Sequence, residues 1–257
     1  MNPLVVERLS KNFGGLKVLE ELCLEVGPGE RRAIIGPNGA GKTTLFNLIT
    51  GQLKPTSGRI YLFGRDVARL PSHKRAALGL ARTFQITSLF PNLTVFENMV
   101  LAVQGLNSVK FVMHRPIFAY RQIRETALRL LRQWGLEDRR EVLVRNLSWG
   151  DQRQMEILLA LASEPKLLLL DEPTAGLSPA ETALVTSLIS KLDPDITLLF
   201  IEHDMDVAFQ LAQRMTVLHQ GRILAEGTPE ETRNNSKVAE IYLGTEWGDG
   251  HGALRGP

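Results

Sequence analysis

The sequence predicts an α/β fold: a mixed β core into which a helical lobe is inserted, with an N-terminal antiparallel β subdomain. Three observations predict it. Near the start, residues 4–9 and 18–26 alternate apolar and polar around FGGLK, the pattern of strand, turn and strand. Short apolar runs at 33–35, 167–170 and 196–202 match strands buried on both faces of a parallel sheet. Between about 86 and 163 the period changes to that of successive helices.

Taken in order, Pro28-Gly29 breaks the chain before the strand at 33–35, which runs into the glycine-rich GPNGAGKTT. Residues 43–50 then read as a helix ended by Gly51, and RIYLFG at 59–64 as a further strand. Over 120–134, Ile123, Ala127, Leu130, Leu131 and Trp134 share one helical face, and Gly135 stands where the helix should stop. Beyond the 167–170 strand, 179–192 and 205–214 read as helices, 196–202 as a strand, and 216–226 as a hairpin turning at Gln220-Gly221. The last dozen residues, rich in glycine, read as a loose tail.

Bulk properties narrow the function. At 257 residues, 44% hydrophobic and 23% charged, the chain is long and apolar enough for a substantial core. Thirty basic residues scattered among twenty-eight acidic ones leave a net charge of +2 and no nucleic-acid footprint. The longest apolar run, 157–162, is far short of the roughly twenty residues a bilayer span needs. The opening MNPLVVERLSKNF lacks a secretory pattern, so a cytosolic location is expected. The single cysteine, Cys23, sits among Leu22, Leu24 and Val26 and is expected to be a small core residue.

Gly36, Pro37, Asn38, Gly39, Ala40, Gly41, Lys42 and Thr43 fit the phosphate-loop pattern, between a predicted strand and a predicted helix. Glycines let successive backbone N–H groups converge on phosphate oxygens at the positive end of a helix. Lys42 is expected to reach the β/γ-phosphates and Thr43 to hold Mg²⁺. A second half of the site follows. The strand at 167–170 delivers Asp171 and Glu172 at its end, with Asp171 expected on Mg²⁺ and Glu172 on the attacking water. Acids rarely follow four leucines unless a cation or polar partner receives them. In LSWGDQ, Ser148 can cap a helix and Asp151 has capping-box spacing, leaving a helix N-terminus to face an anion.

With these motifs the chain resembles the ABC ATPases, from about residue 4 to 244. LSWGDQ, ahead of the strand carrying Asp171, is similar to that family's signature, which completes the ATP site of the opposite subunit through Ser148 and Gly150. The resemblance implies that Phe13 stacks on adenine, that Thr44 joins the phosphate loop, and that Gln85 of ARTFQ touches Mg²⁺ or water at the joint to the helical lobe. It also implies that His203 contacts the γ-phosphate, and that 175–178 crosses the dimer interface. The catalytic group is then Lys42, Gln85, Glu172 and His203. The chain divides into one ATP-binding domain at 1–244, with its core at 1–85 and 164–244 and its lobe at 86–163, and a flexible tail at 245–257.

Departures from the family pattern are Trp149 in place of glycine, Asp151 where glutamine is common, and Ser178 where many members have aspartate. ARTFQITSLFPNLTVFENMVLA and IEHDMDVAFQLAQRMTVLHQGRILAEGTPEE resemble the ATPases of branched-chain amino acid importers and their relatives for urea or short amides. That implies ATP and Mg²⁺, transmembrane permease subunits, a second copy or sister ATPase, a periplasmic solute-binding protein, and a place on the cytosolic face of the membrane. Two other uses of the engine compete: lipid export, and soluble work on nucleic acid or ribosomes, the latter disfavoured by a single cassette without heptads. The aromatic-rich stretch 105–120 reads equally as a self-packed loop or as a surface facing a transmembrane partner.

Overall fold

The protein's structure, a computed structural model, describes residues 1–83, 89–105 and 120–243. Gln85, most of the 105–120 stretch and the tail at 245–257 lie outside them. Two sheets organise the rest. Strands β1 (Leu4–Phe13), β2 (Leu16–Val26), β4 (Ser57–Leu62) and β5 (Arg65–Asp66) make an antiparallel sheet in the order β2-β1-β4-β5. A mixed sheet is ordered β10-β9-β3-β8-β7-β6. Its strands are β3 (Arg31–Ile35), β6 (Leu80–Arg82), β7 (Leu167–Asp171), β8 (Thr197–Ile201), β9 (Arg214–His219) and β10 (Arg222–Gly227). All its pairings are parallel except the β9–β10 hairpin. The expected mixed core and antiparallel unit are both present.

Alternation across the mixed sheet splits the core in two. Ala33, Ile35, Leu168, Leu170, Leu198 and Phe200 face one cluster; Ile34, Leu167, Leu169, Leu199 and Ile201 face the other. Every residue of β7 and β8 is therefore buried, which explains why they read as unbroken apolar runs. Three helices form the lobe on one side: α3 (Val95–Gly105), α4 (Arg121–Gln133) and α5 (Trp149–Leu161). Ile123, Ala127 and Leu131 of α4 are buried on one face, and Gly135 leaves the helix in the left-handed region at φ 68°. The second cluster covers α1 (Lys42–Thr50) with the antiparallel sheet.

Gln220 and Gly221 both have positive φ, the I′ geometry that matches strand twist, so the β9–β10 turn lies where the sequence puts it. Three expectations change. Strands β1 and β2 extend to the Gly14-Gly15 turn instead of stopping at 9 and starting at 18. Helix α7 (Met205–Leu211) ends early because Arg214 enters the sheet opposite Arg32, which buries Met215 and Val217. Cys23 is exposed, not core. The period of two that buries Leu22, Leu24 and Val26 sends residue 23 to the opposite face.

Helices α2 (Ser72–Ala76), α8 (Pro229–Arg233) and α9 (Ser236–Leu243) and the short β6 are not among the elements the sequence predicts. Helix α2 has one clear task. Arg75 is buried and donates to Leu48 O (2.6 Å) and Ile49 O (2.7 Å) at the end of α1, and to Leu70 O (2.9 Å). It thus satisfies carbonyls that a helix end leaves without partners. Burial lowers its pKa to about 10. Arg75→Met keeps the bulk but strands these carbonyls, at about 1–3 kcal/mol for each group left without a partner. Urea unfolding should show a midpoint shift equivalent to at least about 2 kcal/mol with unchanged slope. A shift near zero would remove Arg75 from this role.

Candidate functional site

The parallel strands end level. Ile201 pairs with Ile34 on one side and with Asp171 on the other, so β3, β7 and β8 deliver their following residues to one edge of the sheet. In parallel sheets this carboxyl edge is where ligands bind.

From β3 the chain enters the glycine-rich loop. Gly36 (φ 149°) and Gly41 (φ 105°) occupy the region closed to most side chains. A Cβ at Gly36 would collide with the Leu218 carbonyl, and one at Gly41 would lie 2.7 Å from Leu19 Cδ2 and 3.0 Å from Val18 O. The loop thus closes against β2 and β9. No side chain caps α1 and no acid lies in its first turn, so its N-terminal amides are left without a capping side chain and its dipole without a local acid. Lys42 is buried and folded back: its Nζ donates to Gly36 O (2.5 Å) and Pro37 O (3.1 Å). Burial lowers its pKa, and the nearby Glu172 and Asp171 charges oppose that shift. Thr43 is exposed.

At the end of β7, Asp171 is fully buried. One oxygen takes an ion pair from Arg82 at 2.7 Å; the other, Oδ1, has no hydrogen-bond partner. That buried free oxygen and the open Thr43 hydroxyl suit Mg²⁺, a hard cation that relies on few protein oxygens and on substrate phosphates. No group of three His, Cys, Asp or Glu among the described residues makes a metal cage without such phosphates.

Glu172 has φ 48°, strained for a non-glycine residue. Its amide donates to Ile201 O at 3.0 Å, and Glu172 Oε1 lies 2.9 Å from His203 Nε2. The two side chains that the sequence reading selected from separate strand ends therefore touch. Behind them sits Glu202, buried, accepting from Thr174 N (3.1 Å), Thr174 Oγ1 (2.7 Å) and His203 N (3.1 Å). Arg153 of α5 donates to Pro173 O (3.0 Å), Asp171 O (2.8 Å) and Glu172 O.

Ser148 caps α5 by accepting from Asp151 N at 3.2 Å, as the capping-box spacing predicts. Its hydroxyl donates to Asp151 Oδ2 at 2.8 Å, and Asp151 pairs with Arg139. The Gly150 amide is not free: it donates to Glu181 Oε1 at 3.1 Å. Ser178, at the end of the 175–178 loop, caps α6 (Pro179–Ser190), where it does the work an aspartate would do. Phe13 is 46% exposed at the β1–β2 tip with Lys11 Nζ 4.8 Å from its ring centre, an open aromatic face.

Arg82, Arg153, Glu181 and Glu202 went unread in the sequence. Only Glu181 carried a local signal there, as the third residue after Ser178 in a capping box with proline at the helix start.

The sequence pattern of the family described as ABC transporter matches residues 19–175, and that of the branched-chain amino acid ATP-binding cassette transporters matches 222–247. The high-affinity branched-chain amino acid transport ATP-binding protein LivG of Salmonella typhimurium is 42% identical over 248 residues, covering 94% of this chain and 97% of LivG. The lipopolysaccharide export system ATP-binding protein LptB of Haemophilus influenzae is 34% identical, covering 96% of this chain and 99% of LptB. Among solved structures, an ATP-binding cassette of an ABC transporter in its ADP conformation is similar with a TM-score of 0.84 at 32% identity. It covers 95% of this chain and 99% of its own.

Burial raises the Glu202 pKa above its ordinary 4.5, and the hydrogen bonds from Thr174 and His203 only partly oppose that. The folded chain then holds this proton more tightly than the unfolded chain does. The contribution is complete below 4.5 and is lost as pH rises through the folded value. Glu202→Gln should flatten the fall in melting temperature as pH rises above 4.5; an unchanged slope would exclude Glu202 as its source.

Proposed function

This chain belongs to the ABC transporter family as an ATP-binding and ATP-hydrolysing subunit, and we propose that it powers import of branched-chain amino acids, or of urea and short amides. The observation that carries the catalytic reading is the meeting of Glu172 and His203 beside Lys42 and Asp171 at one level sheet edge. ATP lies in the Gly36–Thr44 cradle with its base on Phe13. Lys42 exchanges its two loop carbonyls for phosphate oxygens. Thr43 and Asp171 would hold Mg²⁺, and Gln85 is assigned there by family pattern alone. When bound, the metal neutralises charge on the β- and γ-phosphate oxygens. Glu172 orients the attacking water and accepts its proton, and His203 fixes the carboxylate and meets the γ-phosphate. Two copies, or this chain and a sister ATPase, pair so that Ser148 and Gly150 of one close the ATP site of the other.

No helix among the described residues is long and apolar enough to cross a membrane; membership of the transporter family supports separate permease subunits as partners. The docking face we assign is the groove of about 430 Å³ between β6, α3 and α5, where Phe90 and Leu101 are exposed. Attachment there puts the subunit on the cytosolic face of the membrane, with a periplasmic solute-binding protein completing the importer. The higher identity to LivG and the pattern at 222–247 favour import; the likeness to LptB keeps lipid export as the second reading.

Two measurements test this. Glu172→Gln should bind ATP with near-normal affinity but hydrolyse it about 10²–10⁴-fold more slowly, because the amide keeps the shape and loses the base. Hydrolysis within a few-fold of the parent would remove Glu172 from catalysis. In cells lacking the gene, uptake of labelled leucine should fall, or uptake of urea and acetamide if that branch is right. Normal uptake of all three with a defective lipid envelope would move the chain to export.

A further inference from the structure

Both groups assigned above to the ATP site of the opposite subunit, donors that would meet its γ-phosphate, are already occupied within the chain. The Ser148 hydroxyl gives its proton to Asp151 Oδ2 at 2.8 Å, and Arg139 pairs with that carboxylate. The Gly150 amide gives its proton to Glu181 Oε1 at 3.1 Å. Glu181 is not passing by. Its second oxygen, Oε2, accepts from Ser178 N (3.0 Å) and Ser178 Oγ (2.7 Å), which clamps the carboxylate in place. The fit against α5 is tight as well. A Cβ on Gly150 would lie 2.5 Å from Glu181 Oε1 and 2.7 Å from its Cδ. A side chain at position 150 would thus have to push the Glu181 carboxylate away from the Gly150 amide.

We propose that Glu181 is a specificity-determining residue for ATP-driven pairing: its carboxylate holds the Gly150 amide until a nucleotide bearing a γ-phosphate, bound to a second subunit, displaces it. This rests on the reading that Ser148 and Gly150 meet that phosphate. The physical argument is competition for one donor at the positive end of a helix. A terminal phosphate brings more negative charge and more acceptor oxygens than one carboxylate, so it can take the amide. ADP lacks that group, leaves Glu181 in place, and meets a carboxylate where closure needs a phosphate. Helix capping alone does not account for the arrangement. A capping box requires only the Ser178 contacts, whereas the Oε1 bond runs to a different helix.

The test uses Glu172→Gln as parent, so that hydrolysis does not disperse the pair, and adds Glu181→Gln or Glu181→Ala. Glutamine at this position still serves a capping box, so that variant should fold. Sedimentation velocity across an ATP titration gives the midpoint for dimer formation, and ATP binding to the monomer checks that the phosphate loop is intact. The ATP midpoint should fall about tenfold with alanine, equivalent to about 1.4 kcal/mol, and by less with glutamine, which keeps an acceptor but no charge. Dimer in ADP should rise in the same order. Folded variants whose ATP midpoint is unchanged or higher would overturn the assignment of Glu181. A parent that binds ATP yet never pairs would overturn the reading of Ser148 and Gly150 and take this inference with it, so the two failures are distinguishable.

Discussion

Much of the site depends on one buried guanidinium. Arg153 collects the carbonyls of Asp171, Glu172 and Pro173 while its charge is balanced by Glu156 at 2.6 Å. The backbone at Glu172 is left-handed, a conformation that costs of order 1–3 kcal/mol for a residue with a side chain. Left alone, the chain would relax by swinging that side chain away. Charge-assisted hydrogen bonds of about 1.5–3 kcal/mol each are enough to hold it. Because Arg153 stands on α5, the helix that begins with the signature, the lobe and the turn carrying Glu172 are joined by a polar contact inside one chain. Burial raises the Glu156 pKa while Arg153 opposes the shift, as expected of an ion pair kept from water.

Charge around the cradle is balanced before any nucleotide arrives. Lys42 rests on two carbonyls close to Asp171 and Glu172. Arg82 ties Asp171 to Asn47 Oδ1 of α1 at 2.6 Å, and its guanidinium sits 5.6 Å from the centre of the Phe46 ring. Arg82 thus fixes the strand-end aspartate against the phosphate-loop helix and leaves Oδ1 as the oxygen with bonding capacity to spare. Arg75 holds the far end of the same helix, so α1 is pinned by a buried arginine at its end and by another along its side.

What the sequence disclosed follows from the range of each signal. Phosphate loop, strand-end acids and signature are contiguous strings, and the strands beneath them announce their double burial as unbroken apolar runs. The Glu172–His203 contact was inferable because each follows such a strand, and parallel strands in register bring their ends level. Arg82, Arg153 and Glu202 were not legible. Each is an ordinary charged residue tied to the site by a partner 18 to 89 positions away, Asp171 for Arg82 and Arg153 and Thr174 for Glu202, and nothing local distinguishes a buried arginine from a solvated one. Cys23 failed for a different reason. The apolar character of the cysteine points to the core, but its parity in the alternation points away, and parity decides which face a strand residue takes. Helix α7 was overextended because 212–214 can continue a helix until a sheet partner, Arg32, claims the backbone.

The departures in the signature become intelligible on the same terms. Asp151 cannot donate from its side chain as glutamine can, but here it is an acceptor: it takes the Ser148 hydroxyl, sits in the first turn of α5 where negative charge is favoured, and is neutralised by Arg139. Trp149 remains 54% exposed, and a Cβ at Gly176 would lie 3.4 Å from its indole nitrogen. The ring therefore lies along the loop that ends in Ser178, while Glu181 bonds both Gly150 and Ser178. Signature and loop are distant in sequence yet held together by an aromatic face and a shared carboxylate. Freeing the Gly150 amide breaks the bond to Oε1, while the Ser178 cap rests on Oε2 of the same carboxylate. The group that would receive a phosphate and the segment that would face a second subunit are therefore two ends of a single hydrogen-bonded unit.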